Sequence, residues 1–348
     1  MKILYKITAL LVIYVLAVSP VLACTSFRLI AQDNTVLVAR SMEFAEPMNS
    51  NIITTAKGKS FYTIAPDGQA GLSWKSKYNY IFIDGLGLGA PIDGMNEAGL
   101  SLEALLFPEE AQYQTVPADS SMKAVSYIHF GDWVLGNFKT VDEVRAALPD
   151  VYVFGEKLKQ LNNEIFPVHY SVFDASGKGI VIEYVNGQLN IHEHMGVMTN
   201  SPTYDWHVTN LRNYLQLSPT NPKPVIADGI TYTSTGQGSG MIGLPGDISP
   251  PSRFVKMAVM LNTVIKPKNA AEALNLSQHI INNVDIPKGF VRVADNNNTA
   301  TLDSTQWVVF KDLTNKKLHY RTYDDLTIRT IDFATIDFTQ PVPAVPLI

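Results

Sequence analysis

The sequence contains a single cysteine, Cys24, whose thiol is a potential nucleophile. With one cysteine no intrachain disulfide can form. A lone cysteine is usually a small buried apolar residue, but Cys24 directly follows Val21-Leu22-Ala23, whose small and medium-sized side chains are typical of a signal cleavage site. Cleavage there would give one residue both a thiol and a free α-amino group, and therefore a nucleophile with a base beside it.

The first 23 residues have the three-part layout of a secretory signal peptide. Lys2 and Lys6 make the start basic, and an apolar run, ALLVIYVLAV, follows at positions 9–18 before a Ser-Pro pair. This run is shorter than the roughly 20 apolar residues that a membrane-spanning helix needs, although an uncleaved anchor is the alternative. We therefore expect residues 1–23 to be removed and the mature protein to be soluble and exported, either periplasmic or secreted.

The same cleavage site permits a second interpretation, because VLAC at positions 21–24 loosely resembles a lipobox. In that case the thiol would be acylated, and the chain would be a lipid-anchored surface binding protein. A lipoprotein tether is normally polar and flexible, whereas residues 25–30 and 35–39 predict two strands joined by a polar QDN turn. A hairpin directly after Cys24 fixes that residue within the fold, which a nucleophile requires and a tether does not.

The α-amine of a processed Cys24 is a suitable base for its own thiol. The reference pKa values are about 7.7–8.0 for the amine and about 8.5 for the thiol, so the amine is partly neutral at neutral pH and can take the thiol proton. The second strand of the hairpin leads into Arg40 and Glu43, which places one of them near Cys24, on a short terminus that we expect to face the surface. A cation there would lower the thiol pKa; the alternative for Arg40 is a solvated charge at a strand end.

The composition describes a globular chain without a nucleic-acid partner. Apolar residues make up 46% and charged residues 17%, so the chain can bury a substantial core. The formal net charge of −5 argues against nucleic acid, which calls for a clustered basic surface. Gly85, Gly87 and Gly89 have a GxGxG spacing, but no strand–helix phosphate context follows, so we expect a loop or strand edge and no cofactor or metal.

The remaining pattern predicts a sheet-rich α+β protein with a single domain over residues 24–348. Alternating segments predict hairpins within 170–192 and 306–323. Helical periodicity appears at 121–135, 141–148, 252–261 and 270–284. The strands do not alternate strictly with helices, so a Rossmann-like sheet is not indicated.

An ordered set of segments resembles the choloylglycine hydrolase and penicillin V acylase family. These segments are CTSF at 24–27, ARSMEF at 39–44, DGMNEAGL at 93–100, MTNSPTY at 198–204, NLRNY at 210–214, GLPGD at 243–247, PSRF at 251–254 and YDD at 323–325. Each is weak alone, but their common order is specific and covers nearly the whole mature chain. The resemblance implies the αββα four-layer sandwich of N-terminal-nucleophile hydrolases and cleavage of a linear amide through a thioester on the N-terminal cysteine.

The resemblance also implies roles for residues around the thiol. It makes Cys24 the nucleophile, with its own amine as the base, and assigns Arg40 and Arg253 as the arginines of the site. Glu43 stands where bile salt hydrolases have an aspartate that contacts the amine, so the charge is kept and a methylene is added.

Two asparagines complete the predicted site. Asn96 and Asn200 match the family positions associated with the oxyanion hole, where fixed N–H donors stabilise the charge that develops on the carbonyl oxygen. The alternative for either asparagine alone is a turn residue, because asparagine tolerates left-handed backbone angles.

The substrate stays open within the class of N-acyl amides. Penicillin V, conjugated bile salts and N-acyl homoserine lactones are all compatible with the resemblance. The predicted signal peptide favours the exported, penicillin V acylase-like members, because bile salt hydrolases are often cytoplasmic and start at Met-Cys. A homo-oligomer is implied by the family resemblance alone, and no membrane partner is expected unless Cys24 is lipidated.

Overall fold

The computed structural model describes residues 23–161, 163–294, 300–340 and 342–347. Except for Ala23, the predicted signal peptide lies outside the described residues. Within these ranges no helix combines the length and the apolar character needed to cross a membrane.

The described chain forms 21 strands, five α-helices and several short 3₁₀ turns. The strands are β1 Cys24–Ile30, β2 Val36–Phe44, β3 Asn51–Thr55, β4 Ser60–Ile64, β5 Ala70–Lys75, β6 Tyr80–Asp84, β7 Pro91–Asn96, β8 Ser101–Leu106, β9 Ala124–Ser126, β10 Tyr152–Phe154, β11 Val168–Phe173, β12 Gly179–Val185, β13 Gln188–Glu193, β14 Val197–Met198, β15 Val225–Ala227, β16 Ile230–Tyr232, β17 Val291–Ala294, β18 Ala300–Asp312, β19 Lys317–Thr322, β20 Arg329–Asp332 and β21 Val345–Pro346. The helices are α1 Phe130–Asn137, α2 Val141–Ala147, α3 Tyr204–Asn210, α4 Pro250–Thr263 and α5 Ala270–Ile281.

Two antiparallel sheets organise these elements. The first sheet has the order β14-β1-β2-β18-β19-β20, and β17 pairs with β18; the second has the order β13-β12-β11-β8-β7-β6-β3-β21. Helices α4 and α5 pack on the first sheet, whereas α1 and α2 pack on the second. The sheets face each other across a shared apolar core. The structure is therefore a helix–sheet–sheet–helix sandwich, and the predicted αββα α+β fold is confirmed.

Strands β2 and β8 are buried along their whole length, because each has a sheet on one face and a helix on the other. Their sequences, VLVARSMEF and SLEALL, are correspondingly apolar but interrupted by charged residues. Because buried charges must be paired or hydrogen-bonded, these interruptions mark positions where the interior is polar.

The hairpin of β1 and β2 positions Cys24. Asn34 adopts a left-handed conformation with φ of 67° in the turn, and the Asp33 carboxylate accepts a hydrogen bond from the backbone N–H of Thr35. The register then places Cys24 opposite Met42. The predicted hairpin is confirmed, and its second strand extends to Phe44, past the predicted end.

One of the four predicted helices is partly wrong. Residues 121–135 contain a 3₁₀ turn and strand β9, and α1 begins only at Phe130. Strand β9 pairs in parallel with β10, and such a long-range pairing overrides the local periodicity on which the prediction rested. The other three helices are present as α2, α4 and α5.

Candidate active site

Cys24 begins β1 and lies deep in the molecule. Its side chain is fully buried in the core between the sheets, so the expected surface-facing terminus is wrong. The physical reason is that β1 runs between β14 and β2 inside the first sheet, with both of its edges paired. The sulfur lies 3.7 Å from Nη2 of Arg40 and 3.8 Å from Sδ of Met42.

The environment of the thiol makes a base necessary. Burial raises the pKa of the Cys24 thiol, the charge of Arg40 opposes this rise, and the charge of Glu43 adds to it, so that the net pKa is raised. The backbone nitrogen of Cys24 donates a hydrogen bond to Oδ1 of Asn200 at 2.8 Å. Removal of Ala23 would turn this nitrogen into an amine beside the thiol of the same residue.

Arg40 is held between the two sheets by backbone carbonyls. Its Nη2 donates to the carbonyl of Ala104 at 2.6 Å and its Nη1 to the carbonyl of Ile92 at 2.5 Å, while the guanidinium lies over the ring of Trp307. The side chain is fully buried, so the alternative of a solvated strand-end charge is wrong. Because its donors are fixed, Arg40 holds a positive charge beside the Cys24 sulfur at a defined distance.

Asn200 and Arg253 bind the backbone of Cys24. Arg253, from the first turns of α4, donates from Nη2 to Oδ1 of Asn200 at 2.7 Å and from Nη1 to the carbonyl of Cys24 and the hydroxyl of Thr25. Its Nε donates to the carbonyl of Ile248. The amide oxygen of Asn200 thus accepts from both Arg253 and the Cys24 nitrogen, which fixes its position.

Leu106, at the end of β8, is a component of the site that the sequence analysis missed. Its backbone N–H acts to lower the pKa of the Cys24 thiol. Its carbonyl accepts a hydrogen bond from Nδ2 of Asn200 at 2.8 Å. Because the contribution comes from the main chain, the residue type carries no signal that could have revealed it.

Asn96 does not join this group. Its Nδ2 donates to the carbonyls of Leu135 and Phe138, and its Oδ1 accepts from the backbone N–H groups of Ala98 and Leu100. The preceding side chain in β7 faces the core between the sheets, so Asn96 points to the opposite face, toward α1. Both amide hydrogens are engaged there, and the predicted oxyanion role of Asn96 is corrected to that of a turn residue.

Glu43 is buried on the helical side of β2. Its Oε1 accepts a hydrogen bond from the hydroxyl of Thr305 at 3.0 Å, and its Oε2 has no hydrogen-bond partner among the described residues. Burial raises the pKa of Glu43 to about 8, although the charge of Arg253 opposes the rise. Its backbone N–H donates to the carbonyl of Ala23. The contact between its carboxylate and a free amine stays a prediction for the processed chain.

An apolar cleft lies beside the backbone groups that hold Arg40. Ile92 and Ala104, the two residues whose carbonyls Arg40 binds, lie in its wall. The other lining residues are Met48, Gly85, Leu86, Leu88, Ala90, Pro91, Tyr127, Ile128, Leu158, Phe166, Val168 and Tyr170. None of these side chains is charged, so the cleft suits an apolar group. Gly85 and its neighbours form the predicted loop between β6 and β7.

Residues 24–343 match the sequence model of the linear amide C–N hydrolases of the choloylglycine hydrolase family. The chain belongs to the choloylglycine hydrolase family. It is 32% identical over 319 residues to a bile salt hydrolase/transferase of Clostridium perfringens, a match that covers 89% of this chain and 92% of that protein. It is 28% identical over 338 residues to a penicillin V acylase of Pectobacterium atrosepticum, which covers 91% and 82% of the two chains.

Two solved structures superpose on most of the chain. A mutant of the conjugated bile acid hydrolase from Clostridium perfringens matches with a TM-score of 0.79 at 28% identity, over 93% of this chain and 96% of that one. The penicillin V acylase from Agrobacterium tumefaciens matches with a TM-score of 0.73 at 27% identity, over 90% and 88%. The protein is therefore a hydrolase of linear amide C–N bonds.

A buried charge network supports Arg40. Nζ of Lys311 lies 2.6 Å from Oδ1 of Asp93 and 2.7 Å from Oε1 of Glu103, and Asp93 also faces Arg40. All four side chains are fully buried, and their charges cancel. Glu103 and Lys311 were missed, although a charge inside the apolar strands SLEALL and WVVFKD is the signal that would have revealed them.

Asp303 of β18 is a second buried carboxylate on the side of Glu43. It is 1% exposed, and neither of its oxygens has a hydrogen-bond partner in the part of the chain that the structure describes. Burial raises the pKa of Asp303 to about 6, while the charge of Arg253 opposes the rise. Its own charge contributes to the raised pKa of Glu43.

Asp303→Asn is expected to raise the free energy of unfolding at about pH 8 and to leave it nearly unchanged at about pH 4. A carboxyl whose pKa is higher in the folded than in the unfolded state stabilises the fold fully below the unfolded pKa of about 3.9, and this contribution is lost as pH rises through the folded pKa. Removing the buried charge should gain roughly 1–3 kcal/mol at the higher pH. Urea denaturation at both pH values measures the difference, and an equal change at both would contradict the assignment.

Proposed function

We propose that this chain, processed to begin at Cys24, is an exported amidohydrolase that cleaves an N-acyl substrate through a thioester on that residue. One observation carries the proposal: the nitrogen and the sulfur of Cys24 are held in the same buried site. Asn200 fixes the nitrogen at 2.8 Å, and Arg40 lies 3.7 Å from the sulfur. A free amine at this position is the base that a thiol with a raised pKa needs.

In the first half of the reaction the amine takes the thiol proton, and the thiolate attacks the carbonyl carbon of the amide. The carbonyl oxygen becomes negatively charged, and we assign its stabilisation to two N–H groups near Cys24. These are the backbone N–H of Leu106 and the Nδ2 group of Asn200. The α-ammonium of Cys24 then returns its proton to the leaving amine, the C–N bond breaks and the thioester remains.

In the second half the same amine takes a proton from water. The resulting hydroxide attacks the thioester carbonyl, the carbon–sulfur bond breaks, and the thiolate leaves and recovers its proton from the ammonium. Throughout both halves Arg40 keeps a positive charge beside the sulfur and so stabilises the thiolate.

The lining of the apolar cleft is an argument for a substrate with an apolar acyl group. This lining includes Ile92 and Ala104, whose carbonyls bind Arg40, and the rings of Tyr127, Phe166 and Tyr170. Aromatic and aliphatic walls favour an apolar group over a charged one. The volume of the cleft is only about 40 Å³, so a phenoxyacetyl, sterol or alkyl acyl chain would have to widen it. We infer a penicillin V acylase-like preference from the predicted signal peptide, with conjugated bile salts and N-acyl homoserine lactones as the competing substrates.

The environment of the sulfur supports a free thiol over a lipid anchor. A diacylglyceryl group on Cys24 would have to displace Arg40 and Met42, which contact the buried sulfur. Intact-mass and peptide analysis of the mature N-terminus tests this inference. A free cysteine at the start of the chain is expected, and a diacylglyceryl adduct would support the lipid-anchored binding protein.

A hydrolysis panel tests the proposed function. Penicillin V, glycine- and taurine-conjugated bile salts and N-acyl homoserine lactones are each incubated with the processed protein, and release of the free amine is quantified. At least one linear amide with an apolar acyl group should be cleaved, and the Cys24→Ala variant is the matched control. Absence of amine release from every member would contradict the proposal.

Asn200→Ala is expected to lower kcat roughly 10²–10³-fold, as removal of one oxyanion donor does elsewhere. KM should change little, because the interaction strengthens only as charge develops in the transition state. Asn200→Asp should lower kcat further than Asn200→Ala does, because an ionised carboxylate offers no donor and repels the oxyanion. Steady-state kinetics with the best panel substrate give both parameters.

Asn96→Ala is the matched control, and we expect it to change stability and not kcat. Asn96 makes four hydrogen bonds to backbone groups away from Cys24, so its removal should lower the melting temperature while kcat of the folded protein stays near normal. A collapse of kcat in a stable Asn96→Ala protein would restore the original oxyanion assignment for that residue.

A further inference from the structure

Two buried histidines that the proposed mechanism does not use hold the backbone on either side of Asn200. Nε2 of His207 lies 2.8 Å from the carbonyl oxygen of Asn200 itself. Nε2 of His169 lies 3.0 Å from the carbonyl oxygen of Thr199. Both rings are almost completely buried. Two consecutive peptide groups are therefore fixed at the residue whose side chain orients Cys24.

His207 presents a defined donor to Asn200. Burial lowers the pKa of His207 to about 4, so its ring is neutral at neutral pH and one nitrogen carries the hydrogen. Nδ1 is buried with no hydrogen-bond partner among the described residues, which assigns the hydrogen to Nε2. The ring stacks on Phe254, with centroids 4.7 Å apart and planes 12° apart. Phe254 directly follows Arg253, which donates a hydrogen bond to the side chain of Asn200.

His169, in β11 of the second sheet, faces a hydrogen-bond acceptor with each ring nitrogen, and it donates to both only when each nitrogen carries a hydrogen. Its ring stacks on Phe107 at 4.3 Å, with the planes 8° apart, and Phe107 directly follows Leu106. Its Nδ1 lies 3.0 Å from Oε1 of Glu183, which also accepts from the backbone N–H of Tyr204.

The Glu183 carboxyl that faces His169 has a pKa below the ordinary pH range and is therefore ionised there. Burial acts to raise the pKa of Glu183, but hydrogen bonds and charges from His169 and His192 outweigh it and lower the pKa to about 2. Oε2 of Glu183 lies 3.4 Å from Nε2 of His192. An ionised, buried carboxylate therefore holds the far side of the His169 ring.

We propose that His169 and His207 are positioning residues, which fix the Thr199–Asn200 backbone so that the Asn200 amide is aimed at Cys24 and Leu106. This inference rests on the proposed function for its kinetic consequence but not for its structural one. Each ring ties one carbonyl of the segment to a phenylalanine that adjoins another site residue, Leu106 or Arg253. The two histidine rings thereby connect three chain segments around Cys24, which are residues 106–107, 199–200 and 253–254.

The test compares His207→Gln with His207→Asn. Both variants keep a neutral amide donor, but only glutamine extends its nitrogen to the place of Nε2. We expect kcat to stay within about 3-fold for His207→Gln and to fall roughly 10–100-fold for His207→Asn, since small misplacements of site groups cost this much. KM should change little in both. His194→Asn removes a buried imidazole whose side-chain hydrogen-bond partners are Ser171, Gly196 and Tyr204, and should leave kcat unchanged.

A double-mutant cycle separates positioning from a general loss of structure. If His207 acts through Asn200, His207→Asn should lower kcat by less than about 2-fold in the Asn200→Ala background, because coupled residues are non-additive. Its effect on the melting temperature should persist in that background. Multiplicative losses in kcat would overturn the proposal, and so would equal kcat values for the glutamine and asparagine variants.

Hydrogen exchange tests the inference without any substrate. His207→Asn should accelerate amide exchange in peptides that span residues 197–204, with no matching increase in β11 or β12. If the unaltered protein cleaves no N-acyl amide, the proposed function fails while this local change still supports the positioning role. Unchanged exchange across 197–204 would overturn the positioning role even in an active enzyme.

Discussion

Replacing Cys24 by alanine is expected to abolish amide hydrolysis while the fold is kept. The variant removes the only thiol in the chain, and the two side chains that contact the sulfur cannot take its place, since Arg40 is a cation and Met42 a thioether. Without a nucleophile the remaining site supplies only oxyanion donors and binding. Release of the free amine from the best panel substrate, followed over many hours, measures the residual rate.

The control for this variant is its stability. Cys24 is fully buried, and alanine leaves only a small cavity in place of the sulfur, so unfolding should cost about 1 kcal/mol less than in the unaltered protein. Cys24→Ser is a useful companion, because it keeps a hydroxyl of similar size but far lower nucleophilicity. Hydrolysis at an undiminished rate by a folded Cys24→Ala protein would end the proposed mechanism.

A form of the protein that retains Ala23 is expected to be at least about 10²-fold less active than one that begins at Cys24. General-base catalysis is worth roughly 10²–10⁴-fold, and the nitrogen that donates to Asn200 is not basic while it belongs to a peptide bond. The two forms are purified, their N-termini are verified by intact mass, and their kcat values are compared.

The comparison requires that both forms share one fold. The carbonyl of Ala23 accepts a hydrogen bond from the backbone N–H of Glu43, so the extended form has a place for this residue and should melt at a similar temperature. Equal turnover by two forms of equal stability would rule out the α-amine as the base.

The sequence predicted those parts of the site that lie on local structure. The hairpin that carries Cys24 and Arg40 follows from two apolar segments and a polar turn, and the structure places both side chains together as expected. Asn200 and Arg253 come from distant segments, and only the family resemblance indicated that they would meet Cys24.

Other parts depend on packing that no local pattern encodes. Leu106 contributes main-chain groups, which are the same for every residue type except proline. Asn96 lies in a well-matched motif, yet the alternation of side chains along β7 directs it away from the core between the sheets. A motif match identifies a position shared with the family, whereas the strand direction decides which face the side chain occupies.

Detection of the acyl-enzyme tests the central claim most directly. The processed protein is mixed with an N-acyl substrate, quenched in acid within a turnover and analysed by intact mass and peptide mapping. We predict a mass increase equal to the acyl group on the peptide that begins at Cys24, and its loss on treatment with hydroxylamine, which cleaves thioesters. Continuous turnover with no adduct on Cys24, or with an adduct on another residue, would contradict the account.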